Sequence, residues 1–330
     1  MQGGRLRRAR LEAGWTQGEL ATLAGVSRQL IGAVEAGRHL PRVDAALALA
    51  AALGADVGAL FGGRLPAVDV VSGMGPVDGS PVRAGLVGDR VVTAPARIGS
   101  DGWDVADGVV KGDHVSMLVT SRPGVVLAGC EPGLETVEHL ARQGGALAVT
   151  VSTSSTRAIE ALVDGRVHGA VVHGPTGGLP APPGVIVRFR LTAWRVGLAI
   201  PPGLSSAWWQ AVVAGELPVV QREPGAMVQR TFVEAVGIGV RGPVVGGHVP
   251  AARQAMSTGV PGLTIEPAAV AFGAGFHPLG RHEAELWVDE RWMGERAVED
   301  ALAVIGGEAF RRRLAAVGGY DLEGIGSRTA

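Results

Sequence analysis

Apolar positions at helical spacing dominate the first sixty residues. The segment TQGE at 16–19 has the form of a capping box, in which a threonine hydroxyl accepts from the amide three residues on, so we predict that a helix begins there. Gly25 interrupts that helix, and Ser27 is a second N-cap candidate ahead of Ile31 and Val34, which share one helix face. Further helices are predicted before Gly14, over 45–53 and over 56–61. This pattern predicts a compact helical bundle.

Beyond residue 112 the pattern changes to apolar, β-branched runs that alternate with helical periods. Strands are predicted at 115–120, 125–128, 147–151 and 170–173, and helices at 134–143 and 156–164. A second block repeats this order, with strands at 196–200, 218–222, 244–245 and 269–272 and helices at 226–235 and 250–258. A last strand at 284–289 and two helices close the chain. The alternation predicts an α/β domain of two lobes joined by crossing strands.

Residues 63–112 are rich in Gly and Pro, and 82–92 shows β-like alternation between two prolines. We predict a linker with a small β element there. The predicted organisation is multidomain, with an all-α unit over 1–62, the linker over 63–112 and the two-lobed α/β domain over 113–330. The length of 330 residues agrees, because chains of this size usually divide into two or three domains.

Composition and charge narrow the function classes. The chain is 47% hydrophobic and 18% charged, which is typical of a globular protein, and it has no recognisable membrane span or secretory signal. We therefore expect a soluble cytoplasmic protein without a membrane partner. The single cysteine, Cys130, excludes an internal disulfide and a multi-thiolate metal site within one chain. The net charge of −1 hides a basic start, since residues 1–42 hold seven arginines and three glutamates.

Residues 16–41, TQGELATLAGVSRQLIGAVEAGRHLP, closely resemble the lambda-repressor and Cro-like helix-turn-helix, the XRE family of bacterial regulators, and the match extends over 4–61. The resemblance implies that 27–36 is the recognition helix, whose N-terminus enters the major groove. Arg28 and Gln29 are then the base-edge candidates, because Arg suits guanine and Gln suits adenine. The other DNA-binding candidates are Ser27 at the helix start, Ala33 for a thymine methyl, and Gln17, Arg38 and Arg42 for phosphates.

The same resemblance implies partners and an internal contact. One such domain covers a half-site, so we expect a homodimer on an inverted repeat of double-stranded operator DNA. Family members often pair the arginine and glutamate that match Arg10 and Glu35, which predicts a structural ion pair here. The alternative for this segment is a small helical domain used for protein contacts.

Three stretches of the second domain, 152–177, 221–238 and 310–326, resemble the type II periplasmic-binding-protein-like domain that is often fused to XRE helix-turn-helices and is related to molybdate-binding proteins. The resemblance covers about 115–326 and implies a ligand between two lobes, at strand ends where helix N-termini favour an anion. The candidate ligand-binding residues are Cys130, Glu131, Ser152, Ser154, Ser155, Thr156, His173, Arg222, Gly225 and Ala226.

The class of ligand stays open between an oxyanion and a small organic molecule. The turn at 224–230 lacks two hydroxyls that oxyanion-binding relatives carry, and Glu131 and Glu223 would repel an anion, which counts against molybdate and tungstate. The apolar walls for an organic ligand would be Trp194, Trp208 and Trp209. The alternative is that the serines only cap their helix and the tryptophans only pack.

Other chemistry finds little support in the sequence. The GxGxxG at 237–242 follows a helix, whereas a dinucleotide site follows a strand. The pairs His168/His173 and His277/His282 do not have convincing metal-binding spacing, so neither a metal nor a cofactor is expected. We predict a non-enzymatic, ligand-sensing, sequence-specific transcriptional regulator. The alternatives are a cofactor-metabolism enzyme or accessory factor, and a DNA reader whose second domain dimerises without sensing.

Overall fold

The computed structural model describes residues 3–36, 38–55, 60–61, 67–88, 90–96, 98–99, 102–103, 106–118, 122–237 and 240–329. The chain divides into two compact units, Met1–Pro66 and Ala67–Ala330. Each unit has its own hydrophobic core. Three predicted features lie partly outside these ranges: most of the helix over 56–61, the end of the strand over 115–120, and part of the GxGxxG at 237–242.

Four short helices build the described part of the first unit. They are α1 (Gly3–Glu12), α2 (Gln17–Ala24), α3 (Arg28–Glu35) and α4 (Val43–Leu53). The capping box is present, since Thr16 Oγ1 accepts from the Glu19 N–H at 3.2 Å and Glu19 Oε2 accepts from the Thr16 N–H at 2.7 Å. Ser27 Oγ accepts from the Leu30 N–H at 3.1 Å. The core side chains include Leu6, Leu20, Ile31, Val34 and Leu49. Both predicted helix starts are confirmed.

A five-stranded sheet, in the order β1-β3-β2-β6-β7, opens the second unit. Its strands are β1 (Ala67–Asp69), β2 (Pro81–Val87), β3 (Arg90–Pro95), β6 (Gly108–Lys111) and β7 (His114–Met117), while β4 (Ile98–Gly99) pairs with β5 (Gly102–Trp103). Strand β1 runs parallel to β3, and the other neighbours are antiparallel. Residues 115–117 of the strand predicted at 115–120 therefore belong to the edge of this sheet and not to the α/β sheet.

This small sheet packs on the rest of the second unit. Val87 and Val92 share a buried core with Val126 and Val149. The approach is close at Gly85, where a Cβ atom would lie 2.4 Å from Val126 Cγ2. From Ala67 onward the segment that the sequence suggested as a linker is thus integral to the second unit. Its glycines serve close packing and turns, which composition alone does not distinguish from a linker.

A seven-stranded sheet forms the centre of the second unit, in the order β14-β11-β15-β10-β8-β9 with β16 paired to β11. Its strands are β8 (Arg122–Gly129), β9 (Ala146–Ser152), β10 (Gly169–Pro175), β11 (Ile186–Ile200), β14 (Gly262–Ile265), β15 (Gly275–Asp289) and β16 (Tyr320–Asp321). Strands β8, β9 and β10 are parallel to one another. The 15-residue strands β11 and β15 pair antiparallel from end to end, with register shifts between Arg190 and Thr192 and between Val196 and Gly197.

Helices divide this unit into two lobes along β11 and β15. The first lobe contains β8–β10 with α5 (Leu134–Gln143) and α6 (Ser155–Val163). The second lobe contains β14, the parallel pair β12 (Gln221–Arg222) and β13 (Val244–Val245), and α7 (Trp208–Val213), α8 (Met227–Val236), α9 (His248–Thr258) and α10 (Glu266–Ala271). The chain returns to α5 through α11 (Arg296–Gly306), and α12 (Glu308–Val317) follows. The expected two-lobed α/β class is confirmed.

Some predicted strands differ from the observed elements. Residues 269–272 were expected to form a strand, but 266–271 form α10, because a short apolar run does not distinguish a buried strand from a buried helix. The strands expected at 196–200 and 284–289 are only the ends of β11 and β15. Strand β14 was not predicted.

No helix within the described ranges is both long enough and apolar enough to span a bilayer.

Candidate DNA-binding face and ligand cavity

The start of α3 presents polar side chains to solvent. Ser27, Arg28 and Gln29 are exposed, whereas Ile31 and Val34 point into the core of the first unit. Because Ser27 caps α3, its hydroxyl fixes the helix start that orients the next two side chains. Of the remaining DNA-binding candidates, Ala33 is half-buried and Arg38 and Arg42 are exposed.

Gln17 has a second role inside the first unit. Its Nε2 donates to Glu35 Oε2 at 2.8 Å, and the same carboxylate accepts from Arg10 Nε at 2.6 Å and from Arg10 Nη2 at 3.0 Å. The expected Arg10–Glu35 ion pair is present. Burial would raise the pKa of Glu35, but donation by Arg10 and Gln17 holds this pKa below its ordinary value. The Gln17 side chain is therefore engaged inside the unit. Its backbone N–H, in the first turn of α2, has no acceptor within the helix and can still contact a phosphate.

A cavity of about 410 Å³ lies where the two lobes meet. Eight of the ten predicted ligand-binding residues line it: Cys130, Ser154, Ser155, Thr156 and His173 from the first lobe, and Arg222, Gly225 and Ala226 from the second. His248 also lines the cavity, and sequence reasoning missed it. Glu223, expected near the cleft, is part of the lining as well.

Glu131 and Ser152 do not line the cavity, contrary to prediction. The Glu131 carboxylate is buried and accepts from the Gly133 N–H at 2.7 Å, the Tyr320 hydroxyl at 2.8 Å and the Thr192 hydroxyl at 2.9 Å. These three donors turn it into the protein interior, where burial raises its pKa. Ser152 is exposed at the end of β9.

The three tryptophans predicted as apolar walls do not line the cavity, although the Trp194 ring packs behind His173 with ring centroids 5.7 Å apart. Trp194 lies in the hydrophobic core, with 1% of its surface exposed. Trp208 and Trp209 pack against His277, with ring centroids 5.2 and 4.7 Å from it. For these residues the alternative interpretation, that the tryptophans only pack, is the correct one.

Three helix N-termini reach the cavity, those of α6, α8 and α9. Ser154 is the N-cap of α6 and accepts from the Arg157 N–H at 3.3 Å, so the capping interpretation holds for this serine. Ser155 Oγ instead accepts from the His173 N–H at 3.2 Å. The N-cap of α8 is Ala226, which has no side chain able to accept from the free amides. Helix N-termini carry partial positive charge, so their convergence favours an anion.

Arg222 is the centre of a polar cluster in the cavity wall. Its side chain is 1% exposed, and Nε and Nη2 each donate to Glu223 at 2.8 Å. Its Nη1 lies 2.9 Å from His248 Nδ1, and its Nη2 lies 3.7 Å from Cys130 Sγ. Because a guanidinium only donates, His248 Nδ1 must accept, which puts the proton of the neutral ring on Nε2. Among the described residues, His248 Nε2 is buried and has no hydrogen-bond partner.

The histidines of this region are neutral at pH 7. Burial lowers the pKa of His173 to about 3, with further lowering by His282 and Arg222, and burial lowers the pKa of His282 to about 4. Burial also holds the pKa of His248 well below its ordinary value. Burial raises the pKa of the Cys130 thiol, although Arg222 opposes this. No local spacing links these residues in sequence, so only the fold brings them together.

Comparison with known families identifies the first unit. Residues 3–60 match a family model described as a helix-turn-helix domain. None of the curated proteins matches the chain significantly. Among solved structures, the chain is similar to the restriction-modification controller protein C.AhdI from Aeromonas hydrophila, at 38% identity over 18% of this chain and 91% of that one, with a TM-score of 0.18. The first unit is a helix-turn-helix domain, as expected from its XRE-like sequence.

Two further solved structures are similar to part of the chain. The chain is similar to an ABC-type phosphate transport receptor from Vibrio cholerae, at 11% identity over 59% of this chain and 98% of that one, with a TM-score of 0.43. It is also similar to the regulatory domain of HypT from Salmonella typhimurium, at 14% identity over 61% and 98% of the two chains, with a TM-score of 0.42.

Proposed function

We propose that this helix-turn-helix protein is a ligand-responsive, sequence-specific transcriptional regulator of the cytoplasm, which binds operator DNA through its first unit and a small anion in its lobe cavity. The observation that supports this most is the cavity: residues from both lobes and three helix N-termini meet there, in a chain that also carries a helix-turn-helix domain. A cavity between lobes gives a ligand a means to change their relative position.

DNA recognition rests on Arg28 and Gln29 at the start of α3. Replacing either by Ala should cost about 1 to 3 kcal/mol on the operator and relax specificity at one base pair, whereas Arg38→Ala should weaken all sequences alike. The measurement is binding to duplexes selected from a random library, with Arg296→Ala, an exposed arginine of the second unit, as control. Unchanged base preference in Gln29→Ala would contradict this orientation of α3.

We further propose a homodimer on an inverted repeat, with half-site centres about 34 Å or a multiple of that apart. One helix-turn-helix unit contacts too little DNA for a tight complex alone. Footprinting should show a symmetric protected region, and light scattering at micromolar protein should give twice the chain mass of 33.7 kDa. A monomer with a one-sided footprint would refute the proposal.

For the ligand, size favours an organic anion over a bare oxyanion. Pockets of about 300 to 1,000 Å³ are usual for small organic molecules, and the cavity of about 410 Å³ falls in this range. A thermal-shift screen should compare small carboxylates and phosphate esters with molybdate, tungstate and sulfate. A ligand at 100 times its dissociation constant adds about 2.7 kcal/mol of stability. The Ser154→Ala/Ser155→Ala double variant should bind operator normally and lose the ligand response, while Ser257→Ala, at an exposed site on α9, should retain it.

Sensing requires coupling in both directions. If a ligand changes operator affinity tenfold, operator must change ligand affinity tenfold, which is about 1.4 kcal/mol of coupling free energy. Calorimetric titration of the identified ligand with and without operator measures this. Equal dissociation constants in the two titrations would refute sensing and favour a second unit that only dimerises.

A further inference from the structure

Cys130, His173 and His248 bring three metal-ligating side chains together in the cavity wall. Their exposed fractions are 4%, 4% and 3%, and their donor atoms lie within 4.8 Å of one another. A tetrahedral ion with bonds of about 2.0 to 2.3 Å holds neighbouring donors roughly 3.3 to 3.6 Å apart. The widest separation in the cluster therefore needs to shorten by up to about 1.5 Å for the three donors to hold one ion.

The two histidines have the surroundings of metal ligands. His173 Nδ1 lies 3.2 Å from His282 Nδ1, which leaves His173 Nε2 as its candidate donor atom and gives the ring the outer hydrogen bond that ligating histidines usually have. His248 Nε2 is buried without a partner among the described residues.

The three residues come from different lobes. Cys130 follows β8 and His173 lies in β10 of the first lobe, while His248 begins α9 of the second lobe. An ion held by all three would tie the lobes together at the cavity.

Arg222 must move before an ion binds. Its Nη1 occupies the Nδ1 lone pair of His248, so coordination through Nδ1 requires its withdrawal. Coordination through Nε2 requires a proton on Nδ1, which cannot face an arginine N–H. Arg222 is paired with Glu223, three residues before the N-cap of α8, so ion binding would displace the segment that leads into this helix.

We propose that Cys130, His173 and His248 bind one zinc-type transition-metal ion, with its fourth position open to the cavity. One thiolate and two imidazoles are soft to borderline donors that suit Zn²⁺, Co²⁺ or copper, whereas Mg²⁺ and Ca²⁺ prefer oxygen. Binding releases the thiol proton to solvent. A divalent ion and the Cys130 thiolate then carry a net charge of +1 together. The helix N-termini then favour an anion as the fourth ligand.

Co²⁺ titration of metal-stripped, full-length protein tests the site. One equivalent of Co²⁺ should give an intense near-ultraviolet thiolate-to-cobalt band, which Zn²⁺ should abolish and excess Mg²⁺ should leave unchanged. Cys130→Ser should lose the band. His173→Ala and His248→Ala should weaken binding at least about tenfold, while His39→Ala, an exposed histidine in the first unit, should not. Unfolding of each variant without metal shows whether it still folds.

Arg222→Met separates this proposal from a plain anion site. If the Arg222 guanidinium competes with the ion, its removal should tighten Co²⁺ binding at least about tenfold. The variant lacks the positive charge that repels the ion and keeps the negative charge of Glu223 that attracts it. If the cluster serves only to hold an anion, the same variant should not gain Co²⁺ affinity. Absence of the charge-transfer band, its persistence in Cys130→Ser, or unchanged Co²⁺ affinity in Arg222→Met would each overturn the proposal.

The Co²⁺ titrations test the metal site independently of the proposed function. Only the effect of the metal on operator binding rests on that function. Operator binding with and without one equivalent of Zn²⁺ measures that effect. A charge-transfer band together with unchanged operator affinity would support the site and refute metal sensing. No band, together with an organic anion that alters operator affinity, would overturn the site and support the proposed function.

Discussion

Removal of the Glu35 carboxylate should unfold the first unit locally, because the buried Arg10 charge would keep only the Trp15 carbonyl, 2.7 Å from its Nη1, as an acceptor. The two side chains are largely buried, with exposures of 8% for Arg10 and 5% for Glu35, and two N–H···O contacts of 2.6 and 3.0 Å join them. Breaking a buried ion pair on one side costs about 3 to 5 kcal/mol. A loss of that size raises the population of the opened first unit roughly 100- to 5,000-fold.

Hydrogen exchange of the α2 and α3 amides in Glu35→Leu measures this change, and DNA affinity should fall with it. The double variant Arg10→Met/Glu35→Leu removes both charges and should recover to within about 1 kcal/mol of the parent, since an apolar pair of similar volume replaces a buried ion pair at little cost. Glu12→Gln, at an exposed position of α1, is the control. Exchange protection that is equal in Glu35→Leu and in the parent would refute the reasoning.

Two further predictions concern the second unit. His168 is fully buried, and burial lowers its pKa to about 4. Between pH 6.5 and 4 the unfolded chain therefore binds a proton that the folded chain does not, and the free energy of unfolding should fall by up to roughly 3 kcal/mol as the pH is lowered. The Glu295 carboxylate, 3.3 Å from His168 Nε2, should limit this loss. Denaturant unfolding at both pH values should show a smaller loss in His168→Gln, and an identical loss would contradict the assignment. Gly85→Ala should destabilise the protein by about 1 to 3 kcal/mol, because the added methyl group would clash with Val126. Gly75→Ala, at a position with open space around it, should change the stability little. Equal melting temperatures for the two variants would refute the packing argument.

The helix-turn-helix was predictable because its signals are local. Thr16 and Ser27 cap helices through contacts three residues away, and the spacing of Ile31 and Val34 identifies the buried face without tertiary information. Gln17 is the exception: its side chain has an internal partner 18 positions along the chain, which the local pattern did not indicate.

The cavity was predictable only in part. Loops at the carboxyl ends of parallel strands meet at one sheet edge, so residues such as Ser155 and His173 could be placed on it. Glu131 could not be excluded from sequence, because two of its three donors, Thr192 and Tyr320, come from distant segments. His248 was missed because it is brought to His173 by lobe packing and shares no sequence spacing with it.

The continuous pairing of β11 with β15 sets the mechanics of the second unit. Lobes joined by loops can swing widely, but these lobes share two strands that are hydrogen-bonded from Ile186 to Ile200, so bending would break ladder bonds. The ladder is interrupted at two register shifts, between Arg190 and Thr192 and between Val196 and Gly197. At Gly197 a Cβ atom would lie 2.0 Å from the His277 carbonyl oxygen, so only glycine fits there. We expect the two lobes to resist a wide opening. A small twist of the paired strands would then carry a change in the cavity to the second lobe.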